Sequence, residues 1–186
     1  YPGDGKESKI LMKNADTAMY NAKDQGRGTY QFYAAGMNAR ALERLALENN
    51  LRKALEKEQF LLCFQPLVDV TTSQYIGMEA LVRWQHPDLG LVSPADFIPL
   101  AEDTGLIIPI GEWVIRNACA QTKKWHDQGH NHLRVSVNLS MRQFRQRDLA
   151  KVIGRTLQRT GLDPRALELE ITESCVMEDP ESTVQT

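Results

Sequence analysis

Four side chains at and beyond residue 79 carry groups that could do chemistry. They are Glu79 and Arg83 within the apolar ribbon 77–84, Asn138 within 136–140, and Glu170 within 167–172. Burying a carboxylate or a guanidinium without a partner costs several kcal/mol, so a chain that sets both into an apolar strand implies partners for them. Two carboxylates and an amide oxygen are hard donors of the kind Mg²⁺, Mn²⁺ and Ca²⁺ take, and no cluster of His or Cys competes for a softer metal. An arginine beside such a cation suits an anionic, phosphorylated ligand. Taken singly, each residue is better explained as the polar side of a solvent-facing strand. Their convergence is what gives the metal its weight.

Convergence depends on strand parity, because successive side chains point to opposite faces. Gly77, Glu79, Leu81 and Arg83 share one face, against Met78, Ala80, Val82 and Trp84 on the other. Val135, Val137 and Leu139 oppose Ser136, Asn138 and Ser140, and Leu167, Leu169 and Ile171 oppose Glu168, Glu170 and Thr172. Each strand thus has an apolar face for helices and a second face whose late positions hold oxygen. In an α/β barrel that second face points inward, and active sites lie at the C-terminal ends of the strands.

The surrounding elements fit an α/β barrel or a doubly wound sheet. Runs 60–70 and 75–84 are joined by Thr71-Thr72-Ser73-Gln74, far too short for a parallel crossover, so they must pair antiparallel. Afterwards helices and strands alternate. Ser93-Pro94-Ala95-Asp96 opens a short helix that Gly105 ends; residues 112–128 form the clearest long helix; 148–160 forms another, closed by Gly161. His86 falls in a turn. Upstream, residues 8–25 have helical spacing with Gly26 as a stop, residues 29–33 read as a short strand, and 37–57 as an amphipathic connecting helix. The organisation expected is a tail, 1–36, a connecting helix, 37–58, and a second unit, 59–186.

Composition admits an ordinary folded chain: of 186 residues, 42% are hydrophobic and 25% charged, with net charge -2. With 22 basic against 24 acidic residues and no basic block, it lacks the footprint of a DNA or RNA binder. Cys63, Cys119 and Cys175 are odd in number and set among apolar residues, which argues for a reducing compartment, hence a cytoplasmic location. No apolar run approaches a membrane span, so any membrane attachment is expected outside this segment. The start at Tyr1 without methionine and the stop at Thr186, just after a helix opens at Asp179-Pro180-Glu181, lead us to expect a piece of a longer protein.

The motifs themselves resemble a known family. Glu79-Ala80-Leu81 followed by Val82-Arg83-Trp84 resembles the signature of the EAL domain, the bacterial phosphodiesterase that linearises cyclic di-GMP. Phe64-Gln65-Pro66-Leu67-Val68 precedes it; Pro94-Ala95-Asp96-Phe97-Ile98-Pro99-Leu100-Ala101-Glu102, Ser136-Val137-Asn138-Leu139-Ser140 and Leu167-Glu168-Leu169-Glu170-Ile171-Thr172-Glu173-Ser174 come after it in the family's order. The resemblance implies a modified TIM-type (β/α) barrel with an antiparallel first strand, incomplete here. It implies Mg²⁺ or Mn²⁺ held by Glu79, Asn138 and Glu170, with Glu79 and Glu170 counted as catalytic. It further implies dinucleotide contacts from Gln65, Leu81 and Arg83, a loop held by Glu173, and a homodimer through this domain. The activity implied is hydrolysis of cyclic di-GMP to linear pGpG by the parent protein; the alternative is a non-catalytic cyclic di-GMP receptor. The family's later motifs, two adjacent aspartates, a lysine and a further glutamate, would lie past Thr186, so the piece alone is expected to be inactive.

Asn14-Ala15-Asp16-Thr17-Ala18-Met19-Tyr20-Asn21-Ala22-Lys23, then Gly26-Arg27, is similar to the tail of a GGDEF domain, the α/β diguanylate cyclase fold. That likeness implies that Lys23 and Arg27 are remnants of a GTP-phosphate site, although Gly28 stands where that family usually has asparagine. Cyclase competence would rest on a motif upstream of Tyr1. Within the chain, the preferred reading of the two cations is the favourable ending of a helix dipole.

Overall fold

The structure, a computed structural model, describes residues 1–24, 28–34 and 36–171. It falls into two compact units, residues 1–50 and residues 51 onward. The division lies inside the helix assigned from sequence as the connection.

In the first unit, helix α1, Ser8–Asp24, carries Asn14, Ala18 and Ala22 as its buried positions, at the spacing of one helical face. Helix α2, Gly36–Ala54, starts in this unit and is tied to α1 by polar contacts. Thr17 Oγ1 donates to Asn38 Oδ1 at 3.1 Å, and Asn38 Nδ2 donates to the Tyr33 hydroxyl at 2.7 Å. Residues 29–33 form no strand. A strand needs a ladder partner, and among the described residues of this unit there is none. Along α2, Leu42 and Leu45 are exposed, whereas Leu51 and Ala54, in the second unit, are fully buried.

The second unit is built on strands β1, Phe60–Val68; β2, Tyr75–His86; β3, Gly90–Val92; β4, Arg134–Leu139; and β5, Leu167–Ile171. β1 and β2 form the expected antiparallel hairpin. Its turn is fixed by Asp69, whose Oδ1 accepts from the backbone N–H groups of Thr71 at 2.9 Å and Thr72 at 2.8 Å. Those donations hold the Asp69 carboxyl below the ordinary carboxylate range. β2 then pairs parallel with β4, and β4 parallel with β5, in the order β1-β2-β4-β5, with the short β3 folding back on the end of β2. Two antiparallel strands leading into parallel ones is the expected beginning of a barrel with a reversed first strand.

The parallel step from β2 to β4 is made through α3, Pro94–Thr104, and α4, Ile107–Asp127. Ser93 caps α3 by accepting from Ala95 N–H, Pro94 takes the first turn, and Gly105 ends it at φ 81°. α4 starts five residues earlier than the spacing predicts, because Pro109 falls in its first turn, where no N–H is needed. Helix α5, Met141–Phe144, and helix α6, Leu149–Thr160, lead from β4 to β5.

The core lies between the helices and the apolar face of the sheet. Trp84, Phe97, Val135, Val137, Ile110, Ile115, Ala118 and Cys119 are at most 1% exposed. Phe60, Trp84 and Phe97 pack with ring centroids 5.8–6.2 Å apart, and Trp84 Nε1 donates to Gln59 Oε1 at 3.2 Å. His86 is the buried last residue of β2 rather than a turn residue. Its Nδ1 accepts from the N–H groups of Asp88 and Leu89, both at 3.1 Å, so it organises the adjoining turn.

Candidate active site

Ladder register brings the expected residues to one face. Gln65 lies opposite Glu79, Glu79 lies beside Ser136, and Asn138 lies beside Glu170. Residues paired across neighbouring strands point the same way. Gln65, Glu79, Asn138 and Glu170 therefore share the face away from the helices. Glu79 and Glu170 flank Asn138 from strands about 10 Å apart, a span that two carboxylate side chains and an amide can close around one ion.

The decisive contact is direct. Asn138 Nδ2 donates to Glu79 Oε1 at 2.7 Å, joining side chains 59 residues apart in sequence. Glu79 is half-buried; Asn138 and Glu170 are exposed. Asn138 Oδ1, Glu79 and Glu170 form an all-oxygen donor set, which fits Mg²⁺ or Mn²⁺ and not a thiolate- or imidazole-seeking metal. Further toward the N-terminal ends of the strands, Glu168 is taken up by Arg134, Nη1 to Oε1 at 2.5 Å, an exposed ion pair worth little to stability. Between Glu79 and Glu168 on the same face sits Ser136, fully buried, its Oγ without a partner among the described residues.

Arg83 and Leu81 continue the Glu79 face along β2, and both line a cavity of about 350 Å³ at the C-terminal ends of β2 and β4. Ile98, Ile107 and Val114 supply apolar wall, and Glu102, Gln143 and Asn138 supply polar groups. Arg83 Nη1 donates to the Val82 carbonyl at 2.8 Å. β2 runs on to His86, so Arg83 lies inside the strand. Burial, and behind it the charge of neighbouring Asp103, pushes the Glu102 carboxyl above its ordinary value.

Glu102 and Gln143 are site residues that strand parity does not find, since both lie on helices. Ser140-Met141-Arg142-Gln143 does carry the spacing of a capping box, and that was the available signal. Lys23 is exposed in the last turn of α1 and lines a groove within the first unit together with Tyr30 and Tyr33. Arg27 and Glu173 lie outside the described residues. No described helix is long and apolar enough to cross a membrane.

The family described as "EAL domain" matches residues 48–186. The bifunctional diguanylate cyclase/cyclic di-GMP phosphodiesterase MucR of Pseudomonas aeruginosa is 49% identical over 184 residues, covering 99% of this chain and 27% of that protein. The cyclic di-GMP phosphodiesterase PdeR of Escherichia coli is 43% identical over 180 residues, covering 97% of this chain and 27% of that protein. The chain thus spans about a quarter of the length of these curated relatives. Among solved structures, the PaMucR phosphodiesterase in complex with c-di-GMP superposes with a TM-score of 0.73 at 45% identity, covering 75% of this chain and 57% of that one.

Proposed function

The chain belongs to the EAL domain family, and on that premise we propose that it forms part of a divalent-metal-dependent phosphodiesterase that opens cyclic di-GMP to linear pGpG. The observation that carries the proposal is the 2.7 Å contact between Glu79 and Asn138, with Glu170 beside Asn138 in the ladder. Glu79, Asn138 and Glu170 would hold Mg²⁺ or Mn²⁺. Bound there, the ion would polarise the phosphodiester and lower the pKa of a water molecule.

The chain's own residues do the rest. Glu79 and Glu170 supply negative charge where the cation sits, and Asn138 fixes the Glu79 carboxylate by donating to it. Arg83, four residues from Glu79 on the same face and so about 13 Å along the strand, offers a guanidinium to a phosphate at a distance suited to a ligand larger than one phosphate. Leu81 and the apolar wall of the neighbouring cavity keep water from that side, and Gln65, opposite Glu79, gives an amide for hydrogen bonding to the dinucleotide. Glu79 acts as a ligand rather than as a general base.

The same proposal takes residues 1–36 as the tail of a GGDEF unit; the match to a bifunctional relative along 99% of this chain supports it. A homodimer through the EAL unit, with Glu173 near its contacts, and a cytoplasmic location complete it. The test is product analysis by ion-exchange chromatography with the whole protein that carries this chain. Cyclic di-GMP should be converted to pGpG with Mg²⁺ or Mn²⁺ and not after chelation. Tight binding of cyclic di-GMP without turnover under both conditions would favour the receptor alternative.

A further inference from the structure

We propose that Gln143 is a positioning residue for Asn138, acting through Ser140, and that Gly111 is the socket that holds it. The inference rests on Asn138 as a metal ligand. The ladder between β2 and β4 runs from the Gly77–Arg134 pair to the Ala80–Val137 pair and stops there. Asn138 is the next residue, so its place relative to Glu79 is not set by a lateral pair with β2. On its other side Asn138 is held beside Glu170 in the ladder with β5, so toward β2 the remaining support is the chain just downstream of it.

There, Ser140 caps α5 in a reciprocal box. Gln143 Oε1 accepts from Ser140 N–H at 3.1 Å and from the Ser140 hydroxyl at 2.9 Å, while Ser140 Oγ accepts from Gln143 N–H at 3.4 Å. A four-residue helix has no stability of its own, so its anchorage comes from neighbours. Gln143 is 3% exposed, and a Cβ added at Gly111 of α4 would lie 1.7 Å from Gln143 Nε2. The amide therefore occupies the space a side chain at 111 would take. On the other side, Arg142 Nη1 donates to the Glu102 carbonyl and, at 3.2 Å, to the Asp103 carbonyl at the end of α3. Helix α5 is thereby bolted to α3 and α4, and through Ser140 it fixes the chain two residues beyond Asn138.

The test measures Mn²⁺ binding by calorimetry to the nucleotide-free whole protein, alongside the thermal midpoint, for Asn138→Ala, Gln143→Ala, Gln143→Glu, Gly111→Ala and the double variant Gly111→Ala/Gln143→Ala. Gln143→Ala should weaken Mn²⁺ binding by about 10-fold or more, the scale of lost outer-shell support. Gln143→Glu, which keeps the acceptor for Ser140, should restore most of it. Gly111→Ala should weaken binding to a similar degree by evicting the amide, yet add nothing in the Gln143→Ala background, where its methyl group fills the vacated space. Additive losses in the double variant would overturn the inference, as would a fall in midpoint with Mn²⁺ affinity unchanged. If Gln143→Ala does not fold, the double variant decides: binding no weaker than in Gly111→Ala supports the socket, and further loss sinks it. Unchanged Mn²⁺ binding in Asn138→Ala would instead overturn the underlying assignment of the metal ligands.

Discussion

The two faces of one sheet divide the labour of this molecule. On β4, Val135, Val137 and Leu139 point to the helices and are at most 4% exposed, whereas Asn138, between two of them in sequence, is exposed on the opposite face. The same holds on β2, where Ala80 and Trp84 are buried and Glu79 meets Asn138 across the other face. A period of two residues thus separates core-facing from polar positions within single strands. Ser136 is the exception, buried on the polar face in one row with Glu79 and Glu168.

If that division is right, substitutions on opposite faces of one strand must fail in different ways. The largest effect on activity should come from Glu79→Ala, with a loss of cyclic di-GMP hydrolysis of about 100-fold or more, the scale seen when a group stabilising transition-state charge is removed. Its thermal midpoint should hardly move; a large drop there would make Glu79 a structural residue and break the comparison. Trp84→Ala, on the opposite face, should cost about 3–5 kcal/mol, a large share of the roughly 5–15 kcal/mol of a typical domain. That should register in denaturant titration as a shifted midpoint.

Two cysteines sharpen the contrast further. Cys63 is exposed on β1 opposite Leu81, and Cys119 is buried on α4, where burial pushes its thiol up to about 11. In a Cys175→Ser background, a chromogenic thiol reagent at pH 8 should label Cys63 at once and Cys119 only on unfolding. Rapid labelling of both in the native protein would mean that the helix-facing core opens readily and that burial there does not shield it.

The smallest effect concerns Glu102. Its folded pKa is raised, first by burial and then by Asp103, so between the unfolded and folded values the native state holds more protons, and stability falls as pH rises through that window. Glu102→Gln should therefore raise the thermal midpoint modestly at pH 7, and the difference should vanish below the ordinary carboxylate range. An unchanged or lowered midpoint at pH 7 would mean that a favourable contact to the charged carboxylate outweighs its burial.

Much of this was legible in the sequence because local rules and the fold agree. Alternation placed Glu79, Asn138 and Glu170 on one face, and the connection after Val68 required a hairpin. Ser93-Pro94 and Gly105 bounded α3. The misses have physical causes. β3 has only three residues, too few for alternation to register. Pro109 looks like a helix breaker but sits in the first turn of α4. Residues 29–33 have a strand's composition without a partner strand. His86 looks like a turn residue because its work is done through the adjoining turn. The fit of Gln143 over Gly111 is tertiary, and no spacing within a single sequence records that two residues 32 positions apart share one space.

Glu170 is the proposed ligand that most exposes the central claim, since ladder register, not a direct contact with Glu79, brings it beside Asn138. Calorimetric titration of Mn²⁺ into the whole protein and its Glu170→Ala variant tests it directly. The variant should lose affinity by about tenfold or more with its thermal midpoint intact. Wild-type affinity in Glu170→Ala would contradict a metal site shared by Glu79, Asn138 and Glu170.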